Sequence, residues 1–267
     1  EIGLGIPAEP LFRSIQFGSK AAKGAILITT KRGKVDGIKV DVTANTGWYV
    51  AKSYPEYLSS AEYMTLYNKG RASDGLSPLY KDEIYDFGAG DNPYRYPNVD
   101  YYSSDYIRKA YNRSEATAEI EGGGKRAHFY SNINFYRVGD VFKFGEAKRN
   151  HTNRFNVRGN VDVNISDDIK AYVNANATFY DASSAKGNYW STAASMRPNY
   201  PQNAAPLIPI DYISPSATNA WALINNANLI DGKYFLAGSQ ENSTHIFGDI
   251  YSAGKTKYTS RQFQFDT

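Results

Sequence analysis

Residues 38–50 read IKVDVTANTGWYV, and this stretch decides the fold class. Apolar or small side chains, from Ile38 to Val50, occupy every second position, while Lys, Asp, Thr and Asn fill most positions between them. Successive side chains of a β-strand point to opposite faces. The alternation therefore predicts one long strand with an apolar face and a polar face.

The same period of two returns from residue 116 onward. Most of these stretches run for about 10–13 residues, although strands of globular proteins are usually about 5–6 residues long. Their polar faces carry amides and tyrosines rather than Lys and Glu. Including the first stretch, about six strands are predicted, at 38–50, 116–121, 126–136, 153–165, 169–180 and 260–266.

The connections between the predicted strands alternate in length. Tight turns are expected at 122–124 and 166–168, whereas the connections at 51–115, 137–151 and 181–258 are long. Long two-faced strands joined by short turns at one end and long loops at the other are typical of outer-membrane β-barrels. In the first long connection, Ser59 and Glu62 fit a capping box, which predicts a helix over 60–72 and a second short one near 81–87.

Composition excludes several other classes of protein. The 267 residues have a mean hydropathy of −0.54, yet 15% are aromatic, which argues against disorder. The chain has no cysteine, so disulfides and thiolate metal sites are excluded. A net charge of +3 with scattered Lys and Arg argues against a nucleic-acid partner. The longest clean apolar run, 25–28, is far shorter than the roughly 20 residues of a membrane-spanning helix.

Residues 17–33, FGSKAAKGAILITTKRG, carry the most specific motif of the chain. They resemble the end of the plug domain of the SusC/RagA family of TonB-dependent outer-membrane transporters. Phe17 stands where that family usually has Tyr, and Lys23 where it usually has Asn. Further matches follow in the family's order, at 57–63 (YLSSAEY), 92–93 (NP), 96–100 (YPNVD), 122–123 (GG) and 198–201 (PNYP).

The resemblance implies an all-β fold, a transmembrane antiparallel β-barrel of about 22 strands with a plug inside. Residues 1–34 would be the C-terminal part of the plug, and residues 38–267 the first barrel strands and external loops. About six strands cannot close a barrel, since the smallest bacterial ones have about eight. The chain is therefore expected to be a fragment of a larger protein.

The resemblance also implies a function in the Gram-negative outer membrane. The transporter would import oligosaccharides or peptides, working with a SusD-like surface lipoprotein. TonB would act through an upstream segment, and two transporter–lipoprotein pairs would form a dimer. The protein would not be an enzyme and would carry no cofactor. Two alternatives stay open: a siderophore- or cobalamin-type receptor without a lipoprotein cap, and a soluble carbohydrate-binding β-domain with its 155–165 stripe buried against a second sheet.

Aromatic residues in the long connections are the candidate substrate contacts, although no substrate-binding residue is assigned. Aromatic faces stack on sugar rings, but they equally suit an interfacial girdle or the core of a packed loop. These residues are Tyr94, Tyr96, Tyr101, Tyr102 and Tyr106 in the first connection, and Tyr189, Trp190, Tyr200, Tyr212 and Trp221 in a later one.

No catalytic, cofactor or metal residues are assigned. The histidines, His128, His151 and His245, lack metal-ligand spacing. The neighbouring carboxylates Asp82/Glu83 and Asp167/Asp168 are interpreted as solvated turn residues.

Overall fold

The computed structural model describes residues 30–34, 37–195, 207–212, 214, 216, 229–235, 248–251 and 254–267. Most of the 17–33 motif lies outside these ranges, including the apolar run at 25–28. Tyr200, Trp221 and His245 also lie outside them.

Six long strands form one antiparallel sheet in which each strand pairs with its neighbours along the chain. The order is β1-β2-β3-β4-β5-β9, with β1 and β9 at the two edges. The strands are β1 (Gly37–Val50), β2 (Ala110–Gly123), β3 (Ala127–Val138), β4 (His151–Asn164), β5 (Lys170–Ala185) and β9 (Lys255–Asp266).

All six predicted strands are confirmed, but three of them are longer than the alternation indicated. β2 begins at Ala110 rather than 116, β5 continues to Ala185 rather than 180, and β9 begins at Lys255 rather than 260. Each extension lies at the end of the sheet that carries the long connections. Both faces are largely polar there, so the period-two signal disappears while the strand continues.

Two neighbouring rows of paired residues show how completely the sheet separates its faces. One row crosses all six strands with apolar side chains: Val42, Ala118, Ile133, Val157, Ala177 and Phe263. The next row crosses them with uncharged polar side chains: Thr43, Thr117, Asn134, Asn156, Thr178 and Gln262. We call the faces that carry these rows the apolar face and the polar face.

Large side chains of the apolar face are exposed. Val42 is 71% exposed and Phe263 is 57% exposed, and Phe155 and Val161 at the centre of the sheet are also open. No second sheet covers them within the described ranges. The stripe at 155–165 is therefore not buried in the way the soluble β-domain alternative requires.

Phenylalanines border the apolar face on the side of the long connections. Phe155 lies 6.0 Å from Phe179 between ring centroids, and Phe179 meets Phe263 edge-on at 5.7 Å. Arg261 is the β9 residue that pairs with Phe179, and its guanidinium lies over the Phe179 ring and pairs with Asp181 at 2.9 Å. The border thus passes from aromatic to charged within one or two residues.

The remaining elements lie in the long connections. The first predicted helix is confirmed, and the second lies slightly later than expected. Ser59 and Glu62 form the predicted capping box at the start of the first helix. The helices are α1 (Ser60–Ser73), α2 (Glu83–Ala89), α3 (Tyr189–Ser195) and α4 (Gly248–Tyr251), with 3-10 turns at Glu146–Arg149 and Ile210–Tyr212 and short strands β6 (Ile208–Pro209), β7 (Leu229–Ile230) and β8 (Tyr234–Phe235).

The buried core described by the structure lies in these connections rather than against a face of the sheet. Ile107, Tyr189 and Tyr251 are each 1% exposed and belong to one cluster that joins three connections. The Tyr189 hydroxyl donates to the backbone carbonyl of Tyr101 at 2.5 Å. A smaller cluster of Met64, Phe87 and Tyr80 packs α1 against α2.

None of the helices in the described ranges combines the length and the apolar character needed to cross a membrane.

We predict that Gly145→Ala loosens the connection core. Gly145 has φ +57°, and a Cβ there would meet the carbonyl oxygen of Tyr251. The expected cost is about 1–3 kcal/mol, because a side chain is strained in this conformation. Faster limited proteolysis within 139–150 would report the change. Gly139→Ala is the matched control, since its Cβ would have an ordinary contact of 3.7 Å with Asn112; equal proteolysis of both variants would contradict the prediction.

Candidate functional site

Residues 30–34, which we call the lead-in segment, lie against the polar face of the sheet. The Lys31 ammonium pairs with Glu119 of β2 at 2.9 Å. The Lys31 carbonyl accepts a hydrogen bond of 3.0 Å from the Asn160 amide of β4. Asn160 is only 1% exposed. The segment therefore ties together strands from the first and second halves of the sheet.

Arg32 extends this contact toward β5. Its guanidinium pairs with Asp162 of β4 and lies over the ring of Tyr172, 5.3 Å from the ring centroid. Arg32 therefore combines an ion pair with a cation–π contact, each of which is weakened where solvent reaches it. Lys31 and Arg32 each use a carboxylate of the polar face.

Gly33 allows the backbone of the lead-in segment to reach the sheet. A Cβ at this position would collide with the backbone of Phe129 in β3. A glycine is the residue that permits so close an approach between two backbones. Each residue of the sequence KRG at 31–33 thus makes a contact with the sheet. Lys31 and Arg32 pair with carboxylates, and Gly33 allows the close backbone approach to Phe129.

Away from the lead-in segment, amides connect the polar face. The Asn134 amide donates to Thr117 at 2.8 Å and to Glu115 at 3.1 Å. The Asn176 amide donates to Gln264 at 3.3 Å. The amides and hydroxyls of this face can exchange hydrogen bonds with water or polar solutes without requiring a counter-charge.

Four aromatic rings from two connections form a second candidate site, the aromatic stack (Tyr54, Tyr57, Tyr102 and Trp190). Tyr102 lies between Tyr57, at 5.5 Å and 15°, and Trp190, at 5.6 Å and 17°. Tyr54 lies 5.8 Å from Tyr102 and 6.1 Å from Trp190. Nearly parallel rings at these distances stabilise one another and form a rigid apolar edge.

Local hydrogen bonds position the stack. The Ser60 hydroxyl donates to the carbonyl of Pro97 at 2.7 Å, and the Ser60 N–H donates to the Asn98 side chain at 3.0 Å. The start of α1 is thereby held against 97–100. Asp100 accepts from the N–H of Tyr102 at 2.9 Å. These contacts bring Tyr57, just before α1, onto the ring of Tyr102.

A cavity of about 910 Å³ opens beside the stack. Tyr54, Tyr57 and Tyr102 contribute to its lining, together with the start of α1 and part of α3. Burial, and then the neighbouring Tyr57 hydroxyl at 3.5 Å, raises the pKa of Tyr102 to about 12. The Tyr102 phenol therefore stays protonated and able to donate at physiological pH.

The structure separates the aromatic residues that the sequence placed together. Tyr102 and Trp190 belong to the stack, whereas Tyr101, Tyr106 and Tyr189 are buried in the connection core. Tyr94 meets Tyr212 edge-on at 4.7 Å, and Tyr96 packs edge-on against Phe87.

Sequence reasoning missed two rings of the stack. Tyr54 and Tyr57 lie shortly after the first strand, where the sequence offered only the capping box and the 57–63 match and gave neither ring a role. The available signal was the aromatic character of Tyr57, two residues before the Ser59 cap. Nothing in the sequence indicated that Tyr102 would pack on it.

The histidines and neighbouring carboxylates noted in the sequence lie apart in the described ranges. No group of three His, Cys, Asp or Glu side chains is placed there to hold a metal ion. His128 lies in β3 and His151 begins β4, on separate rows of the sheet. Asp82 and Glu83 lie at the start of α2, and Asp167 and Asp168 lie in the tight turn between β4 and β5.

The chain has sequence similarity to a known TonB-dependent receptor. The chain is 26% identical over 183 residues to TonB-dependent receptor P26 of Formosa agariphila. The match covers 67% of this chain and 17% of that receptor, so the chain spans a small part of its relative's length. No protein-family model matches the chain. The similarity supports a distant relationship to TonB-dependent receptors and does not distinguish subfamilies among them.

We predict that Gly33→Ala displaces the lead-in segment from the sheet, because the added Cβ collides with the Phe129 backbone. A carbodiimide that joins amines to carboxylates should cross-link Lys31 to Glu119 in the unmodified protein, where the two groups are 2.9 Å apart. Gly33→Ala should reduce the yield of that cross-linked peptide several-fold.

The matched control is Gly47→Ala, because a Cβ at Gly47 would have nothing within 4 Å. Its cross-linking yield should equal that of the unmodified protein. An unchanged yield in Gly33→Ala would mean that the close approach of the two backbones is not what holds the segment in place.

Proposed function

We propose that the chain is part of a TonB-dependent importer of the Gram-negative outer membrane, and that it carries the end of a plug and the first strands of a barrel. The carrying observation is the six-stranded antiparallel sheet with one exposed apolar face and one polar face. Large exposed apolar surfaces in a native protein mark a contact with a partner or with lipid.

The dimensions of the apolar face suit a lipid bilayer. Apolar positions run from Phe155 in β4 to Ile165, the residue directly after the end of the strand. Ten residue steps span roughly 34 Å at about 3.4 Å each. A tilt of about 40° reduces this length to roughly 26 Å along the membrane normal, close to the apolar band of about 25 Å found in such barrels. The phenylalanine row would then lie at the outer membrane–water interface.

An open sheet cannot stand alone in lipid, because the backbone groups of its edges need partners. The outward edges of β1 and β9 would be paired by further strands of the same protein. The similarity to a receptor about six times longer than the matched part of this chain is consistent with such strands.

In this proposal, residues 1–34 end the plug and residues 38–267 begin the barrel. The lead-in segment would be the point where the plug leaves the barrel wall and the chain enters β1. Its ion pairs from Lys31 and Arg32 are partly solvated, so each is worth little alone. Contacts of this kind can hold a plug at rest and yield when TonB pulls on a segment upstream.

The finer assignment, to the SusC/RagA group, rests on the 17–33 motif and the ordered matches that follow it. From this assignment we infer that a SusD-like surface lipoprotein lies above the long connections. Oligosaccharides or peptides would be the cargo, and two transporter–lipoprotein pairs would associate. The broad layer of packed connections, with its aromatic stack and cavity, offers a surface to such a partner.

A gentle-detergent pull-down of the full-length parent from outer membranes tests the proposal. We expect a stoichiometric surface lipoprotein in mass spectrometry and uptake that stops when TonB is deleted. Recovery from membranes without a lipoprotein would support a receptor of the siderophore or cobalamin type. Recovery in the soluble fraction would overturn the membrane assignment.

We predict opposite outcomes for arginine at two adjacent positions of β5. Val173 lies on the apolar face and Asn174 on the polar face. Val173→Arg should cost about 2–4 kcal/mol if that face lies in lipid near the midplane. Asn174→Arg should cost much less, because its side chain would remain in water.

Folding of the full-length protein into lipid vesicles, followed by urea titration, measures both variants on the same scale. Equal destabilisation by the two arginines would contradict the assignment of the faces. A larger effect of Asn174→Arg would reverse it.

A further inference from the structure

We propose that the cavity beside the aromatic stack is a binding site for uncharged oligosaccharides and discriminates against anionic ones. This inference rests on the proposed import function and narrows its cargo from oligosaccharides or peptides to one chemical class.

The stack supplies a platform that suits a sugar ring. Tyr57 ends the row Trp190–Tyr102–Tyr57 and is 59% exposed, so much of its ring is open to the cavity. The axial C–H groups of a pyranose pack on such a face, because the aromatic ring is apolar and rigid. Trp190 and Tyr54 support Tyr102 from the other side, which fixes the platform before any ligand arrives.

Polar groups around the platform match the hydroxyls of a sugar. Glu56, Glu62 and Asp100 contribute acceptors, and the protonated Tyr102 phenol contributes a donor. Pockets that bind small molecules combine apolar walls with a small number of such placed polar groups. At about 910 Å³, the cavity lies near the upper end of the roughly 300–1,000 Å³ typical of ligand sites, so it can hold more than one sugar ring.

The charge of the lining decides between classes of ligand. Glu56, Glu62 and Asp100 are all acidic, and no Lys, Arg or His lines the cavity among the described residues. Hydrogen bonds from the Ser59 hydroxyl and N–H lower the pKa of Glu62, so this carboxylate stays ionised. A uronate or sulfate group would enter a negative field without a counter-ion, which disfavours its binding.

The stack also favours a sugar over a peptide. One common mode of peptide binding adds the peptide as a strand to an exposed sheet edge, where its backbone N–H and C=O groups are paired. The cavity is instead lined by the start of α1, by residues 97–102 and by α3, with no edge of the long sheet among the lining residues. The groups that the cavity offers to a ligand are therefore aromatic ring faces and separate carboxylate acceptors.

The test uses the full-length transporter in detergent and a printed array of uncharged, uronate-bearing and sulfated oligosaccharides, with hexapeptides as a further class. We expect uncharged oligosaccharides to bind best. Tyr57→Ala should weaken that binding about tenfold, and Tyr57→Phe, which keeps the ring, should retain most of it. Tyr85→Ala is the matched control, because Tyr85 is 77% exposed and lies outside the cavity lining.

A second variant tests the charge argument without removing the platform. Glu56→Lys should raise the binding of uronate-bearing oligosaccharides relative to uncharged ones, since it places a cation in the lining. Glu56 is exposed, so folding should be unaffected.

Three outcomes would overturn the inference: preferred binding of anionic sugars or peptides, no binding of any uncharged sugar, or binding that Tyr57→Ala leaves unchanged. TonB-dependent uptake is also measured in a strain that expresses the full-length transporter. This measurement distinguishes failure of the sugar site from failure of the proposed import function. Uptake of a peptide would overturn the sugar site and leave the import function standing, whereas loss of membrane location would remove the import function itself.

Discussion

A sheet that gathers its apolar side chains on one face must keep that face away from water, and the rest of this structure depends on that constraint. The row from Val42 to Phe263 is apolar on every one of the six strands, and on this side the Arg261–Asp181 pair lies at the border of the face. Polar contacts are therefore concentrated on the opposite face, at that border and in the connections. The lead-in segment lies on the polar face, and the aromatic stack lies in the connections, each in the region that the constraint leaves open.

The fold was largely predictable because its signal is local. Alternation at 38–50 and 153–165 needs no knowledge of the partner strand, and the Ser59–Glu62 box marks the start of α1 within four residues. The predicted strand ends were wrong where both faces of a strand are polar, because the side chains then no longer alternate between apolar and polar. At the start of β2, Tyr111 and Arg113 on one face and Asn112 and Ser114 on the other are all polar, so the strand continues without a pattern.

The candidate sites were less predictable, because their members are distant along the chain. Arg32 meets Asp162 across 130 residues, and Tyr102 meets Trp190 through contacts between two separate connections. Composition identified aromatic residues as a group but could not separate a buried core residue such as Tyr189 from a cavity residue such as Tyr57. The difference is set by tertiary packing: the Tyr189 ring fills space between the connections, whereas the Tyr57 ring is the last of the stacked rings and faces the cavity.

The meander topology has a consequence for how the sheet assembles. β2 and β3, and likewise β4 and β5, are joined by tight turns, so each hairpin closes at a small entropic cost. The connection at 139–150 then lets the two hairpins meet. β1 is separated from β2 by residues 51–109, and β9 is separated from β5 by residues 186–254. Pairing of these two outer strands therefore requires the closure of far longer loops. A central block of four strands should thus form first, and the two outer strands should be the last to pair with it.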